Sequence, residues 1–88
     1  MMKEINFNNY VEIIKKHLYE KSHNSDCKAI MTIADIDIRI KPTTDLTYEL
    51  IEWLKKQEFV CDVVFIGKGK VECKISEKFL ENELQKRL

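Results

Sequence analysis

Between Ala29 and Lys41 the chain alternates with period two. Ile30, Ala34, Ile36, Ile38 and Ile40 hold the even positions, and Asp35, Asp37 and Arg39 take the odd ones. Such alternation predicts a strand with one buried and one wet face, ended by Pro42, which lacks a backbone donor. Before it, Tyr10, Val11, Ile14 and Leu18 recur at helical spacing and predict a first helix over about residues 8–21. Asn9 stands as its N-cap, Glu12 as the capping-box partner and Phe7 as a staple. Lys21 to Asp26 is a polar connector. After Pro42, Thr44 or Asp45 caps a second helix reaching Gln57, with Leu46, Leu50, Trp53 and Leu54 as its stripe, widened by Tyr48 and Ile51.

Phe59 to Ile66 and Lys70 to Ile75 then read as two strands joined through Gly67-Lys68-Gly69. Pairing Ile66 with Lys70 through a three-residue loop puts Val63, Phe65, Val71, Cys73 and Ile75 on one face. Asp62, Val64, Ile66, Lys70, Glu72 and Lys74 fall on the other. A two-residue turn would move Asp62 among the apolar set, so the first register is preferred. Ser76 caps a last helix whose stripe is Phe79, Leu80, Leu84 and Leu88. The order is α-β-α-β-β-α. A right-handed crossover makes the first two strands parallel, and the predicted class is α/β (α+β). It comprises one domain, 1–88, with a three-stranded mixed sheet packed by helices.

Composition narrows the function classes. The 88 residues suffice for one core. Lys plus Arg and Asp plus Glu number 15 each, for a formal net charge of zero. Neither half is polarised, so there is no global signature of a phosphate-tracking protein or a nucleic-acid mimic. Cys27, Cys61 and Cys73 are odd in number and lack C-x-x-C spacing. With no apolar leader in MMKEINFNN, they read as reduced thiols in a cytoplasmic protein.

Asp35 and Asp37 raise the question of a metal, but this segment offers too few oxygen ligands. Salt bridges with Arg39 or neighbouring lysines are the simpler expectation. His17, His23 and Cys27 fit no zinc spacing, and no nucleophile stands beside a base. No cofactor is expected. Gly67-Lys68-Gly69-Lys70 joins strands instead of opening a helix, so it is not a P-loop. A basic tip of Lys68, Lys70 and Lys74 could touch nucleic acid, although it lacks aromatics for stacking.

Asp62, Glu72 and Lys74 share a face, and E-x-K after an Asp-bearing strand resembles the PD-(D/E)xK nucleases. In that family two acids hold a divalent metal and the lysine assists the attacking water. Gln85 resembles a further position used by some members. Here Cys61 replaces the proline before the acid, and no strand follows the last helix. A cross-strand Asp62–Lys74 pair accounts for the same residues.

The segment DLTYELIEWLKKQEFVCDVVFIGKGKVECKIS is similar to small orphan proteins of phages and prophages, which combine an amphipathic helix, "LI..LK..GF.V" and a closing hairpin. The likeness runs from Ile36 to Ser76 and rests on apolar periodicity. Gln57-Glu58 replace the usual glycine, and the last helix is additional. It implies an accessory protein that works by binding, such as an inhibitor of a host enzyme or defence system. The expectation is therefore a non-catalytic protein-binding module with no membrane segment. Its candidate anchors are Trp53, Leu84 and Leu88. The alternatives are nucleic-acid binding through Lys68 and Lys70, and a minimal metal-dependent nuclease. Open strand edges and the last helix also suggest a homodimer.

Overall fold

A computed structural model describes residues 5–88. The part of the leader reading that concerns residues 1–4 lies outside them. A 3-10 turn, Phe7–Tyr10, comes first, capped by the Asn6 carboxamide, which accepts from the Asn8 N–H at 3.1 Å. Helix α1 then spans Val11–Ser22. The cap expected at Asn9 is thus displaced, because residues 7–10 make a tighter turn before the α-helix begins. Ile14, Leu18 and Tyr19 supply the buried side of α1.

Strand β1 covers only Lys28–Met31. The long strand expected to Lys41 is not formed. Thr32 starts a short helix, α2 (Ile33–Ile36), through a capping box with Asp35. The Asp35 carboxylate accepts from the Thr32 N–H at 2.8 Å and from its hydroxyl at 3.3 Å. Ile33 and Ile36, three apart, both turn into the core, while Ile38 is left 86% exposed. The same isoleucines that alternate as a strand also fit a helical turn, and the local cap decides between them.

Helix α3 (Thr44–Lys55) is capped by Thr43, whose hydroxyl accepts from the Leu46 N–H at 3.1 Å. It buries Thr47, Leu50, Ile51 and Leu54. Strands β2 (Val60–Gly67) and β3 (Lys70–Ile75) form the hairpin. Asp62 lies opposite Lys74, Val63 opposite Cys73, Val64 opposite Glu72 and Phe65 opposite Val71. That is the preferred register, reached by a different route. The turn has two residues, Lys68 (φ 54°) and Gly69 (φ 74°), and an irregularity between Phe65 and Gly67 absorbs the extra residue. Positive φ at both turn positions matches the twist of a hairpin.

The sheet order is β1-β3-β2, and both pairings are antiparallel. This corrects the mixed sheet. β1 and β2 do run the same way, but β3 lies between them and takes the hydrogen bonds of both. The class remains α+β. Ala29, Met31, Val63, Val71, Cys73 and Ile75 face one core with Ile14, Leu18, Ile33, Leu50 and Leu54.

Helix α4 (Glu77–Arg87) is capped by Ser76, as expected. Of the predicted stripe, Phe79 and Leu80 pack against the core, while Leu84 and Leu88 do not. Phe79 packs on Phe59 with centroids 5.3 Å apart, and the Arg87 guanidinium lies 4.4 Å over the Tyr19 ring. Glu83 is buried, whereas Leu84 and Leu88 are 50% and 90% exposed. Leu80 packs against the core beside Phe79, so the outward turn is confined to Leu84 and Leu88.

Candidate functional site

The side of α3 opposite its core stripe builds one wall of a groove. Glu49, Glu52, Trp53 and Lys56 follow at spacings of three and four, so they line up along one flank. Ile5, Asn6, Phe7 and Tyr48 complete the lining of the groove. The space is open and measures about 440 Å³. Its floor is aromatic. Trp53 lies 6.0 Å from Phe7 and 6.4 Å from Phe59, centroid to centroid. The Trp53 indole N–H donates to the Asn8 carboxamide at 2.9 Å, tying α3 to the chain's first turn. That bond satisfies the only polar atom of the indole and fixes the ring's orientation. The rim is charged: Glu49 and Glu52 are exposed, and Glu52 lies 3.9 Å from Lys55.

Tyr48 extends this surface toward the hairpin. Its ring stacks on Phe65 at 5.6 Å, and the two residues are 52% and 40% exposed. Aromatic surface therefore runs from Trp53 past Tyr48 to the hairpin strand β2. Nothing in the groove is a nucleophile paired with a base. It offers apolar area, one oriented indole and two carboxylates, which is recognition chemistry.

The candidates read from the sequence disperse. Trp53 lies half-buried in the groove. Lys68 occupies the turn and Lys70 the outer face of the sheet, both exposed. Leu84 and Leu88 are exposed on α4, which contributes no residue to the groove. Asp62, Glu72 and Lys74 share the outer sheet face, as the register requires. Yet Asp62 and Lys74 make no ion pair among the described residues. Instead, the Asp62 carboxylate accepts from the Val63 N–H at 2.9 Å. Among the described residues no three His, Cys, Asp or Glu side chains gather where a metal ion could be held.

Asp35 and Asp37 also leave the strand face assigned to them. Asp35 caps α2 and lies 3.7 Å from His17. Asp37 grips Arg39 through both carboxylate oxygens, at 3.0 and 2.9 Å, and accepts from the Arg39 backbone at 3.0 Å. Hydrogen bonds from the Arg39 side chain, then from its backbone, lower the Asp37 carboxyl to about 2.

Tyr48 and Phe65 were read from the sequence as core positions. The unusual width of the α3 stripe was the available sign that one edge would stay outside. Comparison with known protein families, curated proteins and solved structures finds no match for this chain. No helix among the described residues is long and apolar enough to cross a membrane.

Proposed function

We propose that this chain is a non-catalytic interaction module that binds another protein through the α3 groove. The carrying observation is the oriented, half-buried Trp53 in an open aromatic groove, continuous with exposed Tyr48 and flanked by Glu49 and Glu52. Aromatic anchors within a charged rim are the usual make-up of a protein-binding hot spot. The rim carboxylates favour a segment that brings Lys or Arg beside an apolar side chain. The likeness of residues 36–76 to phage accessory proteins supports a binder that inhibits a cytoplasmic host target.

Affinity capture from the native host should return a partner that is lost with Tyr48→Asp and weakened by Glu52→Lys. Both sites are exposed, so the fold should persist. Capture that survives both changes would sink this reading.

A second reading has its own observation. Lys28 stands directly opposite Lys74 on the outer sheet face, with Lys70 nearby, and none of the three pairs with a carboxylate among the described residues. Like charges opposed in this way repel, and an anion such as a nucleic-acid phosphate would relieve them. Retained partner capture in Lys68→Ala/Lys70→Ala, with no salt-sensitive nucleic-acid binding, separates the two.

A further inference from the structure

The two edges of the sheet are treated differently. β1 is closed: His17, from α1, places its Nε2 3.2 Å from the Ile30 carbonyl, on the side away from β3. β2 is open. Among the described residues no other backbone segment pairs with residues 61–67 beyond β3. The Val63 N–H reaches its own neighbour's carboxylate, on Asp62, so it points away from β3. By alternation Phe65 presents its N–H and carbonyl on that same side. Beside these groups Val64, Phe65 and Ile66 are 49%, 40% and 46% exposed. A long edge with consecutive exposed apolar residues is a template for another strand.

We infer that the missing strand is a second copy of β2, paired antiparallel about a two-fold axis at Val64. The strand's own sequence is complementary under that operation. Asp62 lies before the apolar run and Lys68 follows it in the turn. Antiparallel pairing brings the acidic end of each copy to the basic end of the other, whereas parallel pairing sets acid beside acid. With Val64 on the axis, Val63 of one copy faces Phe65 of the second, and their outward N–H and carbonyl groups bond reciprocally. Val64 meets Val64 of the second copy, and Asp62 lies beside Ile66 and Lys68 of the second copy.

In the single chain Asp62 satisfies the Val63 N–H and so guards the edge. On pairing, that donor passes to the Phe65 carbonyl of the second copy, and the freed carboxylate turns to Lys68 of the second copy. The guard makes association reversible and concentration-dependent. It adjoins the groove surface at the Tyr48–Phe65 stack, but its test rests on Val64, Asp62 and Lys68, none of which lines the groove, so its failure is distinguishable from that of the proposed function.

Sedimentation velocity on the purified full chain, under reducing conditions from about 1 to 200 µM, tests it across the micromolar range. A monomer–dimer equilibrium is expected. Val64→Lys, which opposes two lysines on the axis, should raise the dissociation constant about tenfold or more. Lys68→Glu should weaken association by setting a carboxylate beside Asp62 of the second copy, and adding Asp62→Lys to it should restore association. As a measurement free of substitution, amide exchange at Val63 and Phe65 should slow as concentration rises. Glu52→Lys, in the groove, should leave association unchanged. A monomer at every concentration overturns the inference. So does a dimer indifferent to Val64→Lys but lost with Leu84→Asp, which would place the contact on α4. Failure of the double variant to restore association, or concentration-independent exchange at Val63 and Phe65, also overturns it.

Discussion

Cys73 lies in the core with 0% of its surface exposed, Cys27 is partly buried just before β1, and Cys61 is exposed on β2. Burial, helped by the nearby Glu72 charge, pushes the Cys73 thiol up to about 12. Reactivity follows the thiolate, so the three should separate cleanly. In native protein at pH 8 a thiol reagent should modify Cys61 first, Cys27 more slowly, and Cys73 only after denaturant is added. Mass spectrometry of the peptides reads the order, and native labelling of Cys73 would contradict its place in the core. The pH dependence has a definite sign. The folded chain disfavours the thiolate, so this contribution to stability is intact below about pH 9 and declines between there and about pH 12. Asp37 works in the opposite direction: its hold on Arg39 is intact above about pH 3.8 and is lost as pH falls toward 2. Cys73 was legible as core because it alternates with Val71 and Ile75 in one strand. The Asp37–Arg39 pair was legible because two residues separate by a short chain. The Asn8–Trp53 bond spans 45 positions, and no local pattern announces it.

Among the elements, the hairpin and α3 are where sequence reasoning succeeds, and residues 28–42 are where it fails. Val71, Cys73 and Ile75 alternate against Glu72 and Lys74 with no competing helical reading, and the structure keeps that pattern. Ile33, Ile36 and Ile40 fit a helical period as well as the strand period seen in Ile36, Ile38 and Ile40. The deciding signal, Thr32-x-x-Asp35, was present in the sequence but outweighed by six residues of alternation. The two readings of this segment respond oppositely to one substitution. In a continuing strand Thr32→Val would be neutral or favourable, since valine suits a pleated surface. As the cap of α2, Thr32→Val removes one side of the box and should cost about 1 kcal/mol, as should Asp35→Ala. Because the two side chains share the same bonds, the double variant should cost less than the sum. Urea denaturation of the three variants measures this, and an unchanged midpoint for Thr32→Val would favour the strand. Antiparallel pairing of β1 follows from the same shortening: a four-residue strand finds its ladder on β3, with His17 closing its far side.

Across the whole molecule a formal charge of zero conceals a division. The outer sheet face and hairpin tip carry Lys28, Lys68, Lys70 and Lys74 against Asp62 and Glu72. The groove rim carries Glu49 and Glu52 against Lys56. This separation could not be seen from the sequence halves, because β1 brings Lys28 across to Lys74 only when the sheet forms. It sets how the protein should meet polyanions. Four lysines engaging phosphates would release few counterions, so binding to single-stranded nucleic acid should be weak and fade between about 50 and 200 mM salt. The Lys28–Lys74 repulsion gives this face a distinctive response. Lys28→Glu should weaken the residual binding and also stabilise the fold by about 0.2–1 kcal/mol, since Lys28 opposes only Lys74, whereas Lys74 also stands opposite Asp62. A salt series by fluorescence anisotropy reads the first effect and denaturant unfolding the second. Tight binding that persists at 200 mM salt and is lost with Lys28→Glu would instead make the outer sheet face the principal functional surface. In that case the groove would be the lesser one.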